Sequence, residues 1–141
     1  MKPKLALSAV LLALAIVNGV AHAETPKFAG GMLVDARGMT LYTFDKDAKD
    51  KSNCNGGCAA AWPPAVVEAV ASAGGDFTIV TREDGARQWA YKGSPLYRFA
   101  GDTKAGDANG DNQGNVWHVV GSRRAAAAGS GATTMGYRYS Y

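Results

Sequence analysis

Gly38-Met39-Thr40-Leu41-Tyr42-Thr43-Phe44-Asp45-Lys46-Asp47 and Gly93-Ser94-Pro95-Leu96-Tyr97-Arg98-Phe99-Ala100-Gly101-Asp102 are two versions of one phrase, 55 residues apart. Gly, Leu, Tyr, Phe and Asp coincide, and the same offset carries Trp62 onto Trp117. Coincidence at six positions, rich in aromatic residues, identifies a tandem duplication. Neither copy has enough strands to cover an apolar face by itself, so the two must pack or pair into one structure.

Outward from these phrases, period and punctuation predict strands. Met32-Leu33-Val34, the turn-like Asp35-Ala36-Arg37-Gly38 and Leu41-Tyr42-Thr43-Phe44 read as a β-hairpin. Phe77–Thr81, Gln88–Tyr91 and Leu96–Phe99, separated by Glu83-Asp84-Gly85 and Lys92-Gly93-Ser94-Pro95, read as a three-strand meander. Val116–Val120 adds another strand, and Cys58–Trp62 a short helix ended by Pro63-Pro64. The period of two places Tyr42, Phe44, Tyr97 and Phe99 on one face and Leu41 and Leu96 on the other. Apolar residues on both faces predict a mainly β fold: two repeats of about 55 residues packed into one small sandwich or partly closed barrel, with one short helix between the halves.

The ends of the chain read differently. Lys2 and Lys4, an apolar run from Leu5 to Val17 and the small-x-small Ala21-His22-Ala23 are the parts of a cleavable signal peptide, residues 1–23. The run is shorter than the roughly 20 residues a membrane-spanning helix needs. The duplicated domain is expected over 24–122, with copies at about 31–64 and 86–120. Residues 123–141 read as an Ala/Gly/Ser linker followed by Tyr137, Tyr139 and Tyr141 at alternate positions. Loss of Lys2 and Lys4 lowers the formal charge from +3 to +1, which argues against nucleic acid or an anionic membrane as partner. His22 leaves too, so His118 is the sole remaining imidazole.

The motifs resemble a family of exported bacterial proteins, described as secreted repeats of unknown function and as predicted lipoproteins, whose hallmark is Tyr-x-aromatic-x-x-Asp. That pattern stands at Tyr42–Asp47 and Tyr97–Asp102, and Ser52–Ala59 and Trp62-Pro63-Pro64 are similar as well. The resemblance implies envelope location and the duplicated module; it lends no enzymatic activity, because the role of the family is itself unsettled. The cysteine that carries lipid in the tethered members is missing at the cleavage site, so no membrane anchor is expected.

In an oxidising exported compartment Cys54 and Cys58 are expected to form a disulfide. Asp47 and Asp102 have two readings: carboxylates that accept backbone N–H bonds and fix a turn, or, with the repeated tyrosines, the lining of a shared ligand site on the pseudo-twofold axis. Asp107-Ala108-Asn109-Gly110-Asp111 starts like a calcium loop, but Asn112 replaces its glycine and His118 its bidentate glutamate, which excludes an EF-hand. Cys54, Cys58 and His118 offer the alternative of a periplasmic copper, zinc or thiol-redox site. No convergent catalytic set is evident, and no cofactor is called for. The leading expectation is a soluble, non-enzymatic periplasmic or secreted module that binds an unknown envelope protein or small ligand.

Overall fold

The computed structural model describes residues 24–68 and 71–121. The predicted leader and the Tyr-rich tail lie outside these residues. The elements run β1 (Lys27–Ala29), β2 (Met32–Val34), β3 (Tyr42–Phe44), α1 (Gly57–Ala61), β4 (Phe77–Thr81), β5 (Arg87–Tyr91), β6 (Ser94–Pro95) and β7 (Trp117–Val119). The structure is mainly strands with one short helix, consistent with a small sandwich.

β1 and β2 form a tight hairpin whose two turn residues, Gly30 and Gly31, both have positive φ, the conformation such a turn demands. β4, β5 and β6 form an antiparallel meander as expected, but its third strand is Ser94–Pro95, which the sequence predicts as part of the turn. β3 does not form a ladder with β2. It pairs with β7 from the other copy, Tyr42 opposite Val119 and Phe44 opposite Trp117, while in the segment leading into β3 the contacts of β2 stop at Thr40 and Leu41. The predicted strand Leu96–Phe99 is not a regular strand: Leu96 N–H still donates to Trp89 C=O of β5, but Leu96 C=O accepts from Ala65, Tyr97 N–H donates to Tyr42 and Arg98 N–H to Pro63.

Those bonds interlock the copies. Leu41 N–H donates to Leu33 C=O, Leu33 N–H to Val120 C=O and Val120 N–H to Leu41 C=O, a ring of three bonds. Leu96, Trp89 and Ala65 form the equivalent ring: Leu96 to Trp89, Trp89 to Ala65, Ala65 to Leu96. In each ring the third segment comes from the other copy. Burying those amides requires both copies at once, since an unpaired buried N–H costs about as much as a lost hydrogen bond.

The two apolar faces become two cores. Leu33, Leu41, Ala65, Val67, Trp89 and Leu96 make one. Tyr42, Cys54, Trp62, Tyr97, Trp117 and Val119 make the other, with Phe44 and Phe99 packed against them. The alternation along the repeated phrase thus assigns its leucines and its aromatics to opposite sides.

Candidate functional site

Gly38 and Gly93 begin each copy of the phrase with φ of 80° and 83°, positions where a Cβ would be strained. Three and four residues further on, Leu41-Tyr42 and Leu96-Tyr97 run past each other. Tyr42 N–H donates to Tyr97 C=O at 2.8 Å and Tyr97 N–H to Tyr42 C=O at 3.0 Å, so the repeated tyrosines face each other on the pseudo-twofold axis.

From there the side chains cross over. Tyr42 Oη donates to Asp102 Oδ2 at 2.6 Å and Tyr97 Oη to Asp47 Oδ2 at 2.7 Å, so each phenol serves the carboxylate of the other copy. The second oxygen of each carboxylate accepts a backbone amide, Asn53 N–H on Asp47 and Asn109 N–H on Asp102. Turn-fixing and tyrosine pairing are therefore one arrangement. Both tyrosines are fully buried, and the motif groups form two separate closed pairs. Burial pushes the Tyr97 phenol up to about 12, with the Asp47 carboxylate adding to the rise and Ser52 opposing it. Burial also raises Tyr42, again with its carboxylate partner contributing.

The other repeated aromatics form a column. Trp62 and Trp117 stack face to face, centroids 3.8 Å apart and planes 4° apart. Phe44 continues the column from Trp117 at 4.2 Å and Phe99 from Trp62 at 4.4 Å. Tyr42 presents an edge to Trp62 and Tyr97 to Trp117, at 5.3 and 5.1 Å.

Around the two phenols the copies differ. Tyr42 Oη accepts Gly110 N–H. Tyr97 Oη meets Ser52 Oγ at 2.6 Å, and Ser52 in turn accepts from Arg82 Nη1. Arg82 is buried and also donates to Gln88 Oε1, Cys54 C=O and Asn55 Oδ1. Burial raises Asp47, while the bonds from Asn53 and Tyr97 and the Arg82 charge oppose that rise. Arg82 escapes a sequence reading because its partners lie 27 to 30 residues earlier or on the opposite strand, and no local pattern marks it.

The remaining candidate groups are engaged elsewhere. Cys54 and Cys58 are joined, S–S 2.03 Å, so neither sulfur is a thiolate ligand. His118 Nε2 lies 2.7 Å from Asp45 Oδ2, and its Nδ1 is buried without a partner among the described residues. With the sulfurs joined to each other, Cys54 and Cys58 do not form a thiolate set with His118, and no group of three His, Cys, Asp or Glu among the described residues is placed to hold a metal. Asp107 and Asp111 are turn acceptors, the first for Thr103 and Lys104 and the second for Val119. The ion pair with Lys104 and the backbone bonds hold the Asp107 carboxyl down at about 2.

Accessible charge gathers instead in a cleft of about 190 Å³ lined by Asp35, Arg37, Val66, Glu68, Trp89 and Arg98, among others. Asp35 Oδ1 accepts Arg37 and Met39 N–H, which fixes the turn after β2. Its Oδ2 lies 2.8 Å from Arg98 Nε, and 34% of the Arg98 side chain remains exposed.

The family model for a secreted repeat of unknown function matches twice, at residues 27–66 and 78–121, and together the matches cover more than half of the chain. The chain belongs to this family. Its two matches end at residues 66 and 121, which preserves the 55-residue offset of the secreted repeats, and they contain both crossed tyrosine–aspartate pairs and both stacked tryptophans. Neither the curated proteins nor the solved structures hold a significant match to the chain. No helix among the described residues is long and apolar enough to cross a membrane.

Proposed function

We propose that this secreted-repeat protein is a non-enzymatic binding module of the bacterial envelope, released in soluble form by cleavage near Ala23, and that it takes a small ligand in the Arg98 cleft. One observation carries the reading. The polar groups of the duplicated tyrosine–aspartate pairs are used up inside the domain, whereas Arg37, Glu68 and the part of Arg98 left exposed by its pairing with Asp35 stand around the apolar surface of Trp89 and Val66. A cleft with apolar lining and a few convergent charges suits a compact ligand bearing both charges, such as an amino acid or dipeptide. An Arg fork selects a carboxylate, and Glu68 an ammonium group.

The test is a nuclear magnetic resonance titration of the mature protein with a panel of amino acids and dipeptides. Saturable shifts at the Trp89 indole that disappear in Arg98→Ala are expected. Saturable binding that leaves Trp89 unmoved and survives Arg98→Ala would remove the cleft. Turnover of an envelope substrate that one substitution abolishes would remove the non-enzymatic reading. Mass spectrometry of protein recovered from the periplasm or medium is expected to show Glu24 as the first residue.

A further inference from the structure

The column of rings at the centre of the molecule has a geometry that packing alone does not favour. Neutral aromatic pairs prefer offset or edge-on arrangements, with centroids roughly 4.5–7 Å apart, because face-to-face stacking sets like charge against like. Tyr42–Trp62 and Tyr97–Trp117 obey that preference. Trp62 and Trp117 do not: at 3.8 Å and 4° their faces lie directly against each other. Close parallel overlap is the arrangement that best shares a missing electron between two indoles.

The neighbours complete the chemistry. A phenol that loses an electron must also lose its proton, and each tyrosine beside the indole pair already directs that proton at a carboxylate, 2.6 Å away in Asp102 and 2.7 Å in Asp47. We infer that the Trp62–Trp117 pair, with the Tyr42–Asp102 and Tyr97–Asp47 pairs, accepts a single oxidising equivalent and returns it without damage. The function is that of a one-electron relay or sink in the core of an exported protein.

The step balances as follows. A one-electron oxidant takes an electron from the stacked indoles, whose residues are 7% and 5% exposed. The indole radical cation is refilled by an electron from Tyr42 or Tyr97, and the phenolic proton passes to Asp102 or Asp47. The products are the reduced oxidant, a neutral tyrosyl radical and a neutral carboxylic acid. An enediol or thiol reductant then supplies one electron, the acid gives its proton back, and the protein is restored. Burial raises the proton affinity of Asp47 and of both phenols, which suits these roles. Tyr91, whose ring meets Phe77 and Phe28 rather than the indole column, is the internal control.

The experiment is flash photolysis of the mature protein with photogenerated tris(bipyridine)ruthenium(III), read by transient absorption and electron paramagnetic resonance. An indole radical cation that decays into a tyrosyl radical is expected. With Tyr137, Tyr139 and Tyr141 replaced by Phe throughout, Tyr42→Phe/Tyr97→Phe should lose the tyrosyl signal and prolong the indole signal, while Tyr91→Phe changes neither. Asp47→Asn/Asp102→Asn should slow tyrosyl formation on the order of a hundredfold by removing the positioned base. Because these variants bear on folding, wild-type protein supplies a second measurement. Its tyrosyl formation should slow in D₂O, and its mass should be unchanged after many flashes with ascorbate. A tyrosyl signal that survives in the double phenylalanine variant, or progressive oxidation of Trp62 and Trp117 despite ascorbate, would overturn the inference.

Discussion

The first copy closes the loop after its Tyr-x-Phe phrase covalently, and the second closes the matching loop without a covalent bond. Between Asp47 and Trp62 stand the Cys54–Cys58 bridge and α1. Between Asp102 and Trp117 stand Asp107 and Asp111 as backbone acceptors and Asn112 in the left-handed conformation. Both loops deliver a tryptophan to one stack, and both begin with an aspartate that accepts a phenol from the other side. The geometry of the crossed pairs and the stack is therefore the common requirement, and the means of tying the loop down are interchangeable.

The largest test of that equivalence is removal of one stacked ring. Trp62→Ala and Trp117→Ala should each cost about 3–5 kcal/mol in denaturant unfolding, the range for truncating a buried aromatic. Nearly equal costs are expected from the shared environment, and a wide gap between them would break the symmetry. Arg82 then measures what is peculiar to the Tyr97 side. Arg82→Met leaves Ser52, Gln88 and the Cys54 carbonyl short of a buried donor and should cost about 2–4 kcal/mol. Its effect should fall on the environment of Tyr97 and spare that of Tyr42, as resolved by phenolic proton resonances.

The two loop fastenings come next. Cys54→Ser/Cys58→Ser should lower stability by about 2 kcal/mol, as expected for so short a covalent loop. Asp111→Ala in the second copy, which removes the acceptor for Val119 N–H of the same copy, should lower it by about 1 kcal/mol. A disulfide loss below that of Asp111 would reverse the ranking.

The last effect is confined to alkaline solution. Tyr97 holds its proton to about 12 when folded against an ordinary value of 10.0, so between those values the unfolded chain loses the proton first. Stability contributed by Tyr97 is complete below pH 10 and is lost as pH rises toward 12. Urea midpoints measured across that interval should fall, and Tyr97→Phe should flatten the decline.

How much of this was legible varied from residue to residue. The offset between Tyr42 and Tyr97 disclosed the duplication, and alternation along Leu41-Tyr42-Thr43-Phe44 separated the two cores, because strand side chains point to opposite faces in turn. Lys27–Ala29 went unread as a strand, since three exposed residues are too few to display a period. Asp47 and Asp102 were legible as turn acceptors but not as partners of Tyr97 and Tyr42, which lie 50 and 60 residues away. The Arg98 cleft draws on separate segments and had no sequence signal at all.

The sequence by itself determined the repeat, the β character, the short helix, the two-faced apolar pattern and the presence of one closely spaced cysteine pair, because each is written in local period or spacing. Only the tertiary structure decided that the copies exchange their third segments, that each phenol crosses to the other copy's carboxylate, and that the two tryptophans meet face to face. These depend on which of several equivalent partners a buried group takes. That choice is made when both copies fold together and every buried amide and hydroxyl must be satisfied at once.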